Sequence, residues 1–329
     1  MTPVSALIAA VALVLGLATA AAAQESPAGP GHAVIALWPK EPPGAEHATA
    51  REAVVERSKD TSVIRDRILK GVAHPTLIAF QPEHPNGAAL LMAPGGGYSW
   101  VVMDKEGYET AEVFAKAGVT VFVMTYRLPQ EGWSAGPAAP LQDAQRALRL
   151  IRAHAAEYRV DPGRVGVMGF SAGGHVAGML TLRFDQPTYA AVDAADLVSA
   201  RPDFAVLMYP VATMAEPYAH PGSRRNLLGE SPTPTAVADQ SLERLARPDA
   251  PPVFLVHAVD DASVPVENSL QLFDALRAKQ VPVEMHLFEE GGHGFGLRFT
   301  TGKPVAAWPD LVLGWMGRRG YLEPKERHP

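Results

Sequence analysis

Short apolar runs alternate with longer amphipathic segments along most of the chain. Runs such as 88–92 are apolar throughout, which is typical of strands buried on both faces. Segment 140–158 instead carries its apolar residues on one stripe, as an amphipathic helix does. The same reasoning predicts further strands at 32–38, 76–80, 119–126, 165–168, 204–209, 252–257 and 281–288, and helices at 105–117, 172–182, 269–278 and 307–321.

Strands that alternate with helices indicate βαβ units, and therefore an α/β fold with a mainly parallel sheet and helices on both faces. We find no internal repeat and no strong linker, so we predict a single domain over residues 32–329. Segment 210–251 is proline-rich and irregular, apart from a short helix near 242–245, and its length indicates a lid or pocket wall. Segment 41–70 is polar and is predicted to be a surface loop, and 323–329 a solvated tail.

The first 23 residues have a different character. An apolar run at 6–17 is too short to span a bilayer comfortably, and small residues follow it. This is the pattern of a secretory signal peptide, with cleavage after Ala23 or Ala20. Because no Lys or Arg precedes the apolar run, an uncleaved anchor is the competing interpretation. We expect a periplasmic or secreted protein with no stable membrane anchor after cleavage, and a linker at 24–31.

Composition excludes several functions. The 329 residues are 47% hydrophobic and 19% charged, and the formal net charge is −6 with no basic cluster, so no nucleic-acid partner is expected. The absence of cysteine excludes a thiol nucleophile, disulfides and cysteine zinc sites. The histidines show no metal-ligand spacing, so we predict no metal and no cofactor. His175 and His257 are predicted to be packed side chains.

Strand 165–168 runs into the turn Gly169-x-Ser171-x-Gly173 and then into a helix. This is a nucleophile elbow, in which a sharp turn pushes the serine Oγ out of the sheet. Glycine suits Gly169 and Gly173 because a side chain there would collide with neighbouring backbone. Serine alone is a weak nucleophile, so the prediction that Ser171 reacts requires a base and an acid elsewhere. A turn without chemistry is the alternative.

A base and an acid are expected at the carboxyl ends of later strands, where function gathers in such sheets. His293 lies in a glycine-rich loop just after the last predicted strand, and the glycines allow the loop to carry the imidazole to Ser171. The acid should follow strand 252–257, where Asp260 and Asp261 are adjacent and only one can normally face the histidine. Spacing alone leaves both carboxylates open.

An oxyanion hole needs preorganised N–H donors, and two places in the sequence offer them. One is the amide of Ala172, directly after the predicted nucleophile. The other is Gly96 or Gly97, because consecutive glycines let backbone amides approach a ligand oxygen without side chains in the way. A flexible linker is the alternative, but the glycine run directly follows a buried strand.

Together these motifs resemble the α/β-hydrolase fold, and within it the secreted esterase/lipase-like branch that includes acetyl xylan and feruloyl esterases. The resemblance covers most of residues 75–300 and rests on Pro94–Tyr98, Asp104–Gly107, Asp143–Ala147, Val160–Pro162, Gly169–His175 and Gly291–Gly296. The branch has a segment His-Gly-x-x-Asp-x-x-Val-Pro, and laying it on residues 257–265 places its Asp on Asp261, with Asp260 as the fallback. Many relatives have His where this chain has Pro94, which we expect to shift substrate contacts more than abolish catalysis.

The resemblance implies a serine carboxylic ester hydrolase that acts on short acyl esters, with acetyl expected, on plant-wall carbohydrate such as xylan or xylo-oligosaccharides. Ser171 would be the nucleophile, His293 the base and Asp261 the acid, and the partner would be a small-molecule or oligosaccharide ester. Four aromatic residues are candidates for the substrate pocket, with core packing as the alternative for each: Tyr98, Trp100, Phe170 and Phe295.

Three other functions compete with this prediction. A peptidase of the same fold usually carries a large extra domain, for which this chain has no room. A non-catalytic carbohydrate-binding protein on this scaffold usually lacks part of the triad, whereas every part is present in this sequence. A glycosidase would use paired carboxylates rather than an elbow.

Overall fold

A computed structural model describes residues 26–322, so the predicted signal peptide, the start of the predicted linker and the predicted tail lie outside the described residues. The described strands are β1 (Ala33–Ala36), β2 (Ala53–Glu56), β3 (Arg67–Lys70), β4 (Thr76–Phe80), β5 (Ala89–Ala93), β6 (Val101–Val102), β7 (Thr120–Met124), β8 (Val165–Phe170), β9 (Ala205–Met208), β10 (Val253–Ala258) and β11 (Val283–Phe288). The described α-helices are α1 (Glu109–Lys116), α2 (Ala139–Ala153), α3 (Ala172–Leu182), α4 (Pro221–Leu228), α5 (Pro234–Asp239), α6 (Leu242–Leu245), α7 (Glu267–Ala278) and α8 (Trp308–Arg318).

Eight strands form one sheet in the order β1-β4-β7-β5-β8-β9-β10-β11. The pairs β1–β4 and β4–β7 are antiparallel, and every other neighbouring pair is parallel. Strands β5, β7, β8, β9 and β10 are buried at every residue, as expected of strands covered on both faces. The predicted α/β fold with a mainly parallel sheet is confirmed.

The parallel part of the sheet brings four loops to one edge. Because β5, β8, β10 and β11 all run in the same direction, the segments that follow them leave the sheet at the same side. Those segments are the glycine run after β5, the elbow after β8, the Asp260–Asp261 pair after β10 and the His293 loop after β11.

The prediction of a surface loop over 41–70 is wrong. Strands β2 and β3 lie in this segment and form a second, three-stranded antiparallel sheet with β6. Every residue of β2 is exposed, and its apolar run, residues 53–55, is only three residues long and lies between charged residues, so it shows neither the longer run nor the alternation that indicates a strand. Its partner β3 buries only Ile68 and Leu69, and the third strand comes from the loop after β5, far along the chain.

Segment 210–251 contains three helices, where the sequence predicted one. Helix α6 lies at the predicted position, and α4 and α5 precede it. Both additional helices begin at a proline, Pro221 and Pro234. Proline is tolerated in the first helical turn because the N–H group that it lacks would have no intrahelical acceptor there. Two of the prolines that suggested irregular structure therefore mark helix starts.

Candidate active site

Ser171 lies at a sharp turn between β8 and α3, with φ 53° and ψ −119°. Residues other than glycine rarely adopt positive φ, and such strain clusters at functional sites. A Cβ at Gly169 would stand 2.1 Å from the carbonyl oxygen of Gly173, and one at Gly173 would stand 2.1 Å from that of Ala93. Any side chain at either glycine would therefore push the elbow apart, as the sequence predicts.

A chain of hydrogen bonds joins three of the predicted side chains, each from a different loop. The Oγ of Ser171 lies 2.8 Å from Nε2 of His293, and Nδ1 of His293 lies 2.7 Å from Oδ2 of Asp261. The other carboxylate oxygen of Asp261 accepts the backbone N–H groups of Ser263 and Val264, each at 2.9 Å. This arrangement matches a nucleophile, a base and an acid that orients the base.

The surroundings of Asp261 favour its charged form. Burial alone would raise the pKa of Asp261, but hydrogen bonds from His257, His293 and backbone amides hold that pKa well below its usual value. His257 is fully buried, and its Nε2 lies 3.3 Å from Oδ2 of Asp261 while its Nδ1 contacts the hydroxyl of Ser269 at 2.7 Å. His257 is thus packed, as predicted, and it also lies beside the acid, which the sequence did not indicate.

The adjacent carboxylate, that of Asp260, has a different structural role. Asp260 is exposed, and its Oδ1 accepts the backbone N–H groups of Gly291 and Gly292 at 2.9 Å and 2.7 Å. It therefore anchors the loop that carries His293 without contacting the imidazole. Between the two carboxylates that spacing left open, the structure places Asp261 against His293.

Ser171 and His293 open onto a cavity of about 280 Å³. Trp100, one of the four aromatic candidates for the substrate pocket, lines this cavity. The other three predicted pocket aromatics lie instead in the hydrophobic core, with at most 1% of their surface exposed, and their assignment to the pocket is wrong: Tyr98, Phe170 and Phe295. Tyr98 adopts φ 61°, and its hydroxyl lies 2.6 Å from Nδ1 of His175 in α3.

The glycine loop after β5 supplies free backbone donors at the cavity wall. Gly96 and Gly97 have φ 134° and 62°, and both line the cavity with Ser171. Within residues 26–322, neither of their N–H groups has an acceptor. Ala172 is the first residue of α3, so its N–H group has no intrahelical acceptor either. These are the donors predicted for an oxyanion hole, and they lie next to the predicted nucleophile.

A buried carboxylate connects the glycine loop with the histidine loop. Glu106 is 3% exposed, and it accepts the N–H of Gly95 at 2.9 Å and the hydroxyl of Tyr209 at 3.0 Å. The same Tyr209 oxygen accepts the N–H of Gly296 at 3.2 Å. Glu106 was not predicted as a site residue, although it belongs to the stretch 104–107 on which the resemblance rests.

Helix α4 also holds the glycine loop. The side-chain amide of Asn226 donates to the carbonyl of Gly97 at 2.7 Å and to the hydroxyl of Ser99 at 2.6 Å. No local pattern marks Asn226, because its partners lie more than 120 residues away in sequence. Segment 210–251 therefore forms part of the cavity wall.

His175 is the packed histidine that the sequence predicts. Its Nε2 lies 2.8 Å from the carbonyl oxygen of Gln240, and its Nδ1 lies 2.6 Å from the Tyr98 hydroxyl. A carbonyl only accepts, so Nε2 carries the proton and Nδ1 accepts from Tyr98. Burial lowers the pKa of His175 to about 4, against the opposing effect of the Gln240 carbonyl. The neutral imidazole thus ties α3 and the glycine loop to segment 210–251.

Acid is expected to destabilise the protein through His175. The unfolded chain takes up a proton on this imidazole near pH 6.5, whereas the folded chain does so only near pH 4, so stability falls as the pH drops between those values. We expect the free energy of unfolding to fall by about 2–3 kcal/mol more in wild type than in His175→Gln between about pH 7.5 and about pH 4.5. Urea denaturation of both proteins at both pH values measures this difference, and parallel losses would contradict it.

Neither a membrane span nor a metal site appears in the part of the chain that the structure describes. No helix within residues 26–322 is long and apolar enough to cross a membrane. The same residues contain no group of three or more His, Asp or Glu side chains placed to hold a metal ion.

Comparisons with known proteins agree with the resemblance seen in the sequence. Residues 81–276 match the BD-FAE family. The chain is 36% identical over 234 residues to endo-1,4-beta-xylanase B of Butyrivibrio fibrisolvens and 33% identical over 224 residues to an acetylxylan esterase of Xylanibacter ruminicola. These matches include 71% and 67% of this chain but only 35% and 43% of those relatives, so the chain spans less than half of their length.

Solved structures align over more of the chain. The acetyl ester-xyloside bifunctional hydrolase of Caldicellulosiruptor lactoaceticus superposes with a TM-score of 0.71 at 34% identity, over 88% of this chain and 97% of that one. Esterase 2 of Thermogutta terrifontis superposes with a TM-score of 0.63 at 25% identity, over 85% of this chain and 98% of that one.

Proposed function

The chain belongs to the BD-FAE family and has the α/β-hydrolase fold that the sequence predicted, and from this premise we propose that it is a serine esterase. Its proposed substrates are short-chain acyl esters, with acetyl as the acyl group, on plant-wall carbohydrate such as xylan or xylo-oligosaccharides. The observation that carries the proposal is the hydrogen-bonded chain from Ser171 through His293 to Asp261, at the wall of a cavity with free glycine amides.

The reaction follows from these positions. Ser171 Oγ attacks the ester carbonyl while Nε2 of His293 takes its proton, and Asp261 holds the imidazole tautomer and stabilises the imidazolium. The amides of Ala172 and of Gly96 or Gly97 stabilise the developing oxyanion. His293 then protonates the leaving alcohol, and water hydrolyses the acyl-enzyme with His293 as base. This mechanism needs no cofactor.

Two features support a small acyl group on a carbohydrate. A cavity of about 280 Å³ is small for a ligand pocket, which suits acetyl rather than a long acyl chain. Polar side chains line the cavity beside the Trp100 ring, and this combination suits a polyol. The names of the Xylanibacter and Caldicellulosiruptor relatives point to the same substrate class.

Glycoside hydrolysis receives less support from the site. It uses two carboxyl groups on either side of the scissile bond. Among the described residues that line the cavity, Glu106 is the only carboxylate, and it already accepts hydrogen bonds from Gly95 and Tyr209. A peptidase and a carbohydrate-binding protein are the remaining alternatives, and the assay below separates them.

We also propose that the protein is exported to the periplasm or the medium, with residues 32–329 as one catalytic domain. The apolar run at 6–17 and the small residues after it support export. The intact mass of the exported protein tests this: loss of 23 or 20 residues is expected, and an uncleaved chain in the membrane fraction would contradict it.

A substrate panel tests the proposed activity. We expect acetate release from acetylated xylo-oligosaccharide and from p-nitrophenyl acetate. For feruloyl and longer acyl esters we expect kcat/KM to be at least about 10-fold lower, because a pocket discriminates on that scale against an acyl group that is too large for it. p-Nitrophenyl xyloside should stay intact. Turnover of p-nitrophenyl acetate alone would overturn the carbohydrate assignment, and turnover of neither ester would favour the peptidase or binding-protein alternatives.

A further inference from the structure

A second imidazole lies at the same cavity as Ser171 and His293. His220 follows β9, immediately before α4, and its half-buried side chain lines the cavity. A Cβ placed on Gly97 would stand 3.8 Å from the Cε1 atom of His220, so the ring lies over the glycine loop. The mechanism proposed above gives this histidine no task.

The hydrogen bonds of His220 determine which nitrogen carries its proton. The backbone N–H of Ser223 donates to Nδ1 at 3.1 Å, and the Ser223 hydroxyl lies 2.8 Å from the same nitrogen. A backbone N–H group only donates, so Nδ1 must be the unprotonated nitrogen. Burial lowers the pKa of His220, and the neighbouring His293 lowers it further, which favours the neutral ring with its proton on Nε2.

Capping α4 does not by itself require a histidine. The imidazole occupies the position in which Asn, Asp, Ser or Thr usually accepts a hydrogen bond from the first turn of a helix. What His220 adds to such a cap is the Nε2–H donor, since its other ring nitrogen, Nδ1, is the capping acceptor. Within residues 26–322, Nε2 of His220 has no hydrogen-bond partner, so this donor is free at the cavity.

The chemistry of an acetyl ester limits the substrate atoms to which this N–H group can donate a hydrogen bond. The methyl group accepts no hydrogen bond, and the carbonyl oxygen accepts from the amides of the proposed oxyanion hole. The alkoxy oxygen receives its proton from His293. The acceptors that remain lie on the alcohol part, which in a sugar are the free hydroxyl groups and the ring and glycosidic oxygens. The hydroxyl groups are the better acceptors, because the two acetal oxygens donate electron density to the anomeric carbon and are less basic.

We propose that the Nε2–H group of His220 donates a hydrogen bond to a free hydroxyl group on the alcohol part of the ester, and that His220 thereby selects esters of polyols over esters of simple alcohols. This inference rests on the esterase function proposed above. It makes His220 a substrate-binding residue that determines specificity.

Two substitutions separate the donor role of the His220 side chain from its role as a helix cap. In His220→Asn, the side-chain oxygen can still accept from Ser223 N–H, but the far donor is lost. In His220→Gln, the longer amide can place an N–H group near the position of Nε2, but glutamine is a poor helix cap. The two probes are a monoacetylated methyl xyloside and cyclohexyl acetate, which share a six-membered ring. The xyloside alone carries free hydroxyl groups, together with a ring oxygen and a methoxy group.

The measured quantity is the ratio of kcat/KM for the xyloside ester to kcat/KM for cyclohexyl acetate. We expect His220→Asn to lower this ratio about 10-fold with little change in melting temperature, as the loss of one hydrogen bond predicts. We expect His220→Gln to keep the ratio within about threefold of wild type while lowering the melting temperature.

The outcomes distinguish this inference from the proposed function. A wild-type enzyme that prefers the xyloside ester, with an unchanged ratio in His220→Asn, would overturn the role of His220 and leave the esterase standing. Equal losses on both esters would also overturn it, because the contact would then involve a group that both substrates share. A wild-type enzyme that hydrolyses only cyclohexyl acetate would overturn the substrate class and this inference together, and hydrolysis of neither ester would overturn the esterase itself.

Discussion

The Ser171→Ala enzyme is expected to lose at least about 10⁴-fold in kcat while it remains folded. The substitution removes the oxygen that lies 2.8 Å from Nε2 of His293, so no covalent acyl-enzyme can form. The glycines on both sides still allow the elbow to turn, because their contacts involve backbone and not the serine oxygen. Acetate release in steady state measures the loss, and the melting temperature reports the fold.

An irreversible organophosphonate provides the matched control for this prediction. It should add one phosphonyl group to the wild-type chain and none to Ser171→Ala, as intact mass spectrometry would show. Substantial turnover by a folded Ser171→Ala enzyme, or labelling of a different residue, would refute the assignment of the nucleophile.

Replacing Asp261 by asparagine is expected to lower kcat by roughly 10⁴-fold. Asparagine can present an N–H group to Nδ1 of His293, which would favour the tautomer with the proton on Nε2, the nitrogen that must accept from Ser171. The substitution also removes the negative charge that stabilises the imidazolium. The measurement is kcat with acetylated xylo-oligosaccharide, together with the melting temperature.

Asp260→Asn is the matched control, because the two carboxylates are adjacent and the substitution is the same. The Asp260 oxygen that accepts from Gly291 and Gly292 can be replaced by the amide oxygen, so the histidine loop keeps its anchor. We expect a loss of less than about 10-fold, since Asp260 does not contact the imidazole. A large loss in Asp260→Asn with a small one in Asp261→Asn would reverse the two roles.

Local sequence was sufficient for the central part of this fold. The strands at 165–170 and 253–258 are buried at every position, and such runs indicate a covered strand wherever they occur. The elbow is local as well, because steric conflict between residues a few positions apart requires its glycines. The edge strand at 53–56 was missed because it buries nothing, and its pairing depends on partners that are separate in sequence.

The sequence by itself determined the α/β class, the elbow at Ser171, the loop of His293 and the pair of carboxylates between them. Tertiary structure decided that Asp261 faces the imidazole while Asp260 anchors the loop, and that Trp100 but not Phe170 lines the cavity. The physical reason is the range of the interactions. Backbone conformation and burial leave a pattern in neighbouring residues, whereas the direction in which a side chain points depends on elements that pack against it from distant parts of the chain.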